Sequence, residues 1–106
     1  MYSLTDAAMV QLGQVGSALV DTGADTLTPP GGKVIVAISM MTDCQFDALV
    51  ADGDDVYIGT GGSGSGTNGA TLGSGDTFPA GMTIYGRWTS VSVTSDGQRA
   101  ICYMGD

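Results

Sequence analysis

The sequence predicts an all-β fold, a small antiparallel β-sandwich or jelly-roll-like barrel with a long Gly/Ser-rich loop. Apolar and β-branched segments recur at short, even spacing, turn residues separate them, and no segment between them suits a crossover helix. Gly makes up 18 of the 106 residues, and the surface helix formers Glu and Lys are nearly missing. The length allows one β domain, residues 13–106, preceded by an N-terminal arm, residues 1–12.

The first twenty residues allow two interpretations. Apolar residues recur at helical spacing over residues 5–20, but Gly13 and Gly16 would each cost a helix about 1 kcal/mol relative to Ala. We therefore favour an extended arm followed by a strand near Ser17–Asp21 over a helix.

The arm, residues 1–12, holds more apolar residues than a free tail carries. We predict that it docks on a neighbouring copy or on another protein, because terminal arms are ordered only where they are docked. The alternative is that it forms a first strand of its own domain. The apolar residues of the arm are Tyr2, Leu4, Met9, Val10 and Leu12.

The middle of the chain predicts three strands. A Pro-Pro-Gly-Gly turn over Thr28–Gly32 leads into Lys33–Met41, a nearly continuous apolar run typical of a strand buried on both faces. Cys44–Val50 alternates as a half-buried strand does, and a turn over Asp52–Asp55 precedes a short strand, Val56–Ile58.

Residues 60–75 predict a mobile, solvent-exposed loop. They are almost entirely Gly, Ser, Thr, Asn and Ala, and Leu72 is the only large apolar residue among them. Such a composition cannot bury enough apolar surface to order a segment.

The last third of the chain predicts a hairpin. Met82–Gly86 is followed by Arg87–Thr94, where Thr89, Val91 and Val93 alternate with Trp88, Ser90 and Ser92 on the opposite face. Residues 95–98 contain Asp-Gly, the strongest short hairpin signal, and Arg99–Met104 returns as the partner strand.

Composition excludes several classes of function. The chain has no His, which excludes Ser-His-Asp and Cys-His catalysis and imidazole metal ligands. Only three Lys and Arg stand against eleven Asp, for a net charge of −8, so neither nucleic acid nor an anionic membrane surface is an expected partner. The N-terminus lacks a basic signal-peptide region, and we expect the chain to be made in a cytoplasm and used as made.

The residues that could carry chemistry also have simpler interpretations. Asp52–Asp55, with Asp47, could hold Ca²⁺, but a Ca²⁺ loop needs a Glu that the chain lacks, and a solvated turn is favoured. Gly59–Gly66 resembles a phosphate cradle without its Lys, which favours a flexible loop. The acids lie in turns rather than as a pair in a cleft. We therefore expect no enzyme activity, no cofactor, no metal and no small-molecule substrate.

Cys44 and Cys102 are too few for a disulfide scaffold. We favour two reduced cysteines that pack as small hydrophobic residues, with a disulfide between them as the alternative and a reactive thiol as the least favoured state.

Four aromatic residues could form a platform for sugar, although packing in a core or on a sheet is the commoner role of such side chains. They are Tyr57, Tyr85, Trp88 and Tyr103.

Three segments resemble small virion proteins of tailed bacteriophages: Gly32–Ile38, Phe46–Leu49 and, above all, Phe78–Thr89, a Phe-Pro-x-Gly-x-x-Ile-Tyr-Gly-x-Trp-Thr block. The resemblance implies a capsid decoration, or cement, protein that stabilises the head by binding the lattice of major capsid protein. It also implies a homotrimer. We expect Tyr57 and Tyr85, together with the apolar arm residues, to lie at the partner interface.

The negative charge places such a protein on the exterior of the virion, because the interior of a head is packed with DNA phosphates. Two alternatives stay open: another virion component, such as a head-fibre base or a tail piece, and a carbohydrate-binding β module. A buried Trp88 would count against the carbohydrate-binding module.

Overall fold

Six strands form one antiparallel sheet in the order β1-β6-β2-β5-β3-β4. The structure, a computed structural model, describes residues 16–21, 26–52, 57–60 and 69–105, and none of these is helical. The predicted all-β fold is therefore confirmed. The strands are β1 (Ser17–Val20), β2 (Val34–Met40), β3 (Cys44–Ala51), β4 (Thr77–Phe78), β5 (Thr83–Val93) and β6 (Ala100–Gly105).

The long strand β5 bends and folds the sheet onto itself. At one end of β5 Met82 accepts a backbone hydrogen bond from Met40, and at the other end Thr94 donates one to Gln45. The chain from Met40 to Gln45 spans at most about 18 Å, whereas a straight strand from Met82 to Thr94 would span about 40 Å. A corner in β5 is therefore required, and the strand pairing shifts register on both sides of Trp88.

The corner divides the sheet into two layers. The front layer consists of β1, β6, β2 and the first half of β5, and the back layer consists of the second half of β5, β3 and β4. The sheet is not closed into a barrel, so the architecture is sandwich-like. The largest fully buried side chains fill the space between the layers: Trp88, Phe46, Ile35, Ile38, Leu49, Val91, Val93, Cys44 and Cys102.

Two glycines allow side chains to pack directly on the backbone. A Cβ added to Gly86 would lie 2.8 Å from Cζ2 of Trp88, in the corner of β5. A Cβ added to Gly105 would lie 2.8 Å from Cγ1 of Val36, where β6 meets β2. Real Cβ atoms do not approach other atoms so closely, so both positions require glycine.

We expect Gly86→Ala and Gly105→Ala each to lower the free energy of unfolding by about 1–3 kcal/mol, because the added methyl group overpacks the structure. Gly75→Ala is the matched control: Gly75 is exposed, and a methyl group added there would have no atom within 4 Å, so a change within about 0.5 kcal/mol is expected. Urea unfolding followed by circular dichroism measures the difference. Equal midpoints for Gly86→Ala and Gly75→Ala would contradict the packing described.

The structure corrects two predictions in the second half of the chain. Trp88 does not oppose Val91 and Val93: all three are buried, because the bulge after Trp88 shifts the alternation by one residue. Leu72, inside the loop predicted to be exposed, is also buried, and its N–H donates to the carbonyl of Gly59 at 2.8 Å.

The turn at residues 28–32 and the strands that follow it lie where they were predicted, and the Asp-Gly segment connects β5 to β6. At the predicted strand Val56–Ile58, Ile58 forms an isolated bridge only. Ser17–Val20 is a strand, as favoured, whereas the predicted arm, residues 1–12, lies outside the described residues.

Candidate functional site

Two tyrosines from strands that are distant in sequence meet on the outer face of the front layer. Ala37 on β2 pairs with Tyr85 on β5 and, on its other side, with Tyr103 on β6. Paired residues of neighbouring antiparallel strands project from the same face. Tyr85 is 70% exposed, whereas Ala37 between the two rings is completely buried.

A second row of side chains lies beside the tyrosines on the same face. Leu19 pairs with Ile101, which pairs with Ser39, which pairs with Thr83. The Oγ of Ser39 and the Oγ1 of Thr83 lie 2.9 Å apart, as expected for hydroxyls on one face. Leu19, on the outermost strand, is 45% exposed.

Val36 extends this surface, because it packs over Gly105 beside the row of Tyr103. The resulting surface is apolar and aromatic and crosses four strands. We call it the tyrosine face; it consists of Leu19, Val36, Tyr85, Ile101 and Tyr103.

The tyrosine face is uncharged, although the chain carries a net charge of −8. Neither of the two rows contains an Asp, Lys or Arg. The acids among the described residues lie in turns, beside strand ends or on β3 in the back layer: Asp21, Asp43, Asp47, Asp52, Asp76 and Asp96. A partner protein that covers the two rows of this face would therefore bury no carboxylate within them; Asp21, two residues after Leu19, lies at the border.

Three of these acids make local structural contacts. Asp43 accepts the N–H of Ala80 at 2.9 Å, and Asp76 accepts the N–H of Gly73 at 2.8 Å. Asp52 lies 3.3 Å from the Nε of Arg87 across the corner. Within the described part of the chain no three acids or cysteines are grouped so as to hold a metal ion. Most of the turn Asp52–Asp55 lies outside that part.

The four aromatic residues considered for sugar binding do not share a surface. Trp88 is completely buried, and its Nε1 donates to the carbonyl of Ile58 at 2.7 Å. Tyr57 packs against the core. Only Tyr85 and Tyr103 lie together on the outer face. Trp88, which has the largest ring of the four, is therefore not part of any such platform.

Both cysteines are buried and unpaired, as favoured from the sequence. The single S–H of Cys44 has two carbonyl acceptors within reach, those of Thr42 and Arg99, each 3.3 Å from the Sγ. Burial raises the pKa of the Cys102 thiol to about 12, and the neighbouring Cys44 adds to the increase. A thiol whose pKa is raised in this way stays protonated and is a poor nucleophile, so Cys102 serves as a core residue. Cys44 is completely buried in the same core.

Of the interface residues predicted from the sequence, Tyr85 lies on the tyrosine face and Tyr57 does not. Those in the arm lie outside the described residues: Tyr2, Leu4, Met9, Val10 and Leu12. Sequence reasoning did not assign Leu19, Val36 or Ile101 to any interface, because their adjacency depends on strand register.

Comparisons with protein-family models, with curated proteins and with solved structures found no match. In the described residues no helix is long and apolar enough to cross a membrane. Fold and surface together define a class: a small, acidic β-sandwich-like domain with one uncharged apolar face.

Proposed function

We propose that this chain is a structural protein of a tailed-phage virion, a capsid decoration protein that binds the lattice of major capsid protein through its tyrosine face. The observation that carries the proposal is the tyrosine face itself, an apolar and aromatic surface across four strands on which Leu19 and Tyr85 are exposed and the other three side chains are half-buried. The partner class comes from the resemblance of Phe78–Thr89 to small virion proteins.

The composition of the face supports binding to a protein. Tyrosine is enriched among the residues that dominate binding energy, because its large, rigid ring buries area at a low cost in entropy. Tyr85 is the most exposed large hydrophobic side chain of the described residues, and a partner can cover most of its ring. The hydroxyls of Ser39 and Thr83 beside it supply the polar groups that interfaces also contain.

The charge supports an exterior position. Apart from Asp21, which follows β1 two residues after Leu19, the described acids lie away from the tyrosine face, so a chain bound through this face presents them to solvent. A like-charged outer surface keeps particles soluble and separate, whereas the interior of a head would bring these carboxylates close to DNA phosphates.

The mechanism would be binding without chemistry. Copies that bind the assembled lattice and not its free subunits shift the equilibrium towards the assembled shell by mass action. The role needs no cofactor, metal or small-molecule substrate. The homotrimer implied by the resemblance remains a prediction; a dimer is the alternative self-assembly, and sedimentation equilibrium of the free chain distinguishes the two.

Two other functions fit a β domain of this size: a head-fibre base or tail component, and a carbohydrate-binding module. The first differs from decoration only in its partner. The second is weakened by the burial of Trp88.

The test is binding of the purified chain to phage heads that lack it, measured by cosedimentation. We expect Tyr85→Ser to weaken binding by about 10- to 100-fold, the size of a hot-spot truncation. Val50→Ser is the matched control, because Val50 is a 41% exposed apolar residue of β3 in the back layer, and it should bind as the unaltered chain does. Equal binding by both variants would contradict the proposal. Binding of the chain to an added oligosaccharide that phage heads do not displace would also contradict it.

A further inference from the structure

Among the described residues, β1 is the outermost strand of the front layer. It pairs with β6 on one side and is the terminal strand of the sheet order. The carbonyl of Gly16 accepts the N–H of Met104 at 2.9 Å, which fixes the direction of every backbone group that follows. Since these groups alternate along a strand, Ala18 and Val20 face β6, while Ser17 and Leu19 direct their N–H and C=O groups away from the sheet.

The sequence of β1 contains none of the features by which proteins prevent edge strands from pairing. Ser-Ala-Leu-Val has no charge and no Pro, and Leu19 is 45% exposed. An unprotected strand edge is a template for another strand.

The opposite end of the sheet is protected. The edge strand β4 has two residues and is followed by Pro79. Beyond β4, β3 carries the exposed Asp47. The N–H of Leu49 donates to the hydroxyl of Thr60 at 2.9 Å, and the carbonyl of Leu49 accepts the N–H of Thr60 at 2.8 Å. Pairing at this end is blocked by Pro, by charge and by a covering segment. Within the described parts of the chain, one edge is therefore closed to partners, and the other, β1, is not.

We propose that two copies of this chain associate by antiparallel pairing of their β1 strands about a twofold axis at Ala18. The register follows from the direction of the backbone groups, because residues that exchange hydrogen bonds must both face outward. Ser17 of each copy then opposes Leu19 of the other and exchanges two hydrogen bonds with it. The two front layers become one continuous eight-stranded layer.

A second copy is the occupant that this edge suits. The paired segment is uncharged, so two acidic molecules can approach there, and the same patch serves both partners, as a twofold interface requires. Asp21, the acid that follows β1, would be about 20 Å from its counterpart, since the two residues are six positions apart along the paired strands. That separation exceeds twice the screening length of about 8 Å at physiological salt.

The proposal rests on the strand edge and not on the proposed function. Ser17 and Leu19 project on the outer side of the front layer, so the tyrosine faces of the two copies lie on the same side of the joined layer. A dimer could therefore form whether or not a capsid lattice is the partner of those faces.

Sedimentation equilibrium of the full chain, from about 10 μM to about 1 mM, tests the proposal. We expect the mean mass to rise from 10.6 kDa towards twice that value. Leu19→Pro removes an outward N–H and no bond to β6, so it should remain a monomer throughout. Leu19→Ser keeps the N–H, loses only the side chain, and should still form the dimer. Monomers at every concentration, a trimer, or equal behaviour of the two variants would overturn the proposal.

Cross-linking tests the register. In the double variant Ser17→Cys/Leu19→Cys, each new thiol would oppose one on the second copy, within disulfide reach. Mild oxidation with copper phenanthroline should give a covalent dimer at least about 10-fold faster than in either single variant, and Cys44 and Cys102 are buried and do not compete. If Leu19→Pro does not fold, Leu19→Lys replaces it, because a charge at the edge also blocks pairing. Equal rates for double and single variants would overturn the register.

Discussion

Trp88→Ala is expected to lower the free energy of unfolding by about 3–5 kcal/mol, a large share of the total stability of a domain of this size. Trp88 is completely buried where β5 passes from the front to the back layer, and Gly86 lies directly under its ring. Removing the indole leaves a cavity at the one place where both layers meet on the same strand. The bend of β5 cannot close that cavity, because pairing with β2 and with β3 holds its two halves.

Trp88→Phe separates packing from hydrogen bonding. Phenylalanine keeps most of the ring but leaves the carbonyl of Ile58 without its 2.7 Å donor. Losing this partly buried hydrogen bond costs about 0.5–1.5 kcal/mol, so this variant should lie between Trp88→Ala and the unaltered chain.

Urea unfolding followed by far-ultraviolet circular dichroism measures all three proteins, since fluorescence would lose its only tryptophan. Tyr85→Ala is the control, because a 70% exposed ring on the tyrosine face contributes little to folding. An unfolding midpoint for Trp88→Ala equal to that of Tyr85→Ala would show that the corner does not depend on the indole.

Local patterns in the sequence were sufficient to predict most strands. Pro-Pro-Gly-Gly before residue 33 and Asp-Gly at 96–97 determine turns through their own backbone preferences. The apolar run of β2, and the alternation of apolar and polar residues in β3, indicate within a few residues which side chains are buried. Each of these signals depends on neighbours in the chain, and each matches the structure.

Contacts between distant segments could not be predicted in the same way. The bulge beside Trp88 reverses the faces of the residues that follow, and no local pattern marks it. Leu72 is buried because its N–H reaches Gly59, thirteen residues earlier. The tyrosine face needs β6 and β5 on either side of β2, a strand order that many sandwich topologies do not share. Of the residues of the tyrosine face, only Tyr85 was predicted at an interface, because the position of the side chains around it depends on strand register.

Phe46→Ala is the second substitution for which we expect a loss of about 3–5 kcal/mol. Phe46 is completely buried in the back layer, and its ring meets that of Phe78 edge-on, with centroids 5.3 Å apart and an interplanar angle of 64°. This ring contact is important for β4, because β4 pairs with β3 through only two residues, Thr77 and Phe78.

A double-mutant cycle tests whether the ring contact holds β4 in place. Phe78→Ala alone should cost about 3 kcal/mol, at the lower end of the range for buried aromatic residues, because its site is at the sheet edge. If the rings act together, the double variant should lose less than the sum of the single losses by about 0.5–1.5 kcal/mol, the coupling of an aromatic pair. The measurement is the midpoint of urea unfolding. The slope of the unfolding free energy against urea concentration should be the same for all variants, because a changed slope would indicate a changed unfolded state. Additive losses would mean that the two rings are buried independently, and that β4 is held by its backbone hydrogen bonds to Cys44 and Gln45 instead.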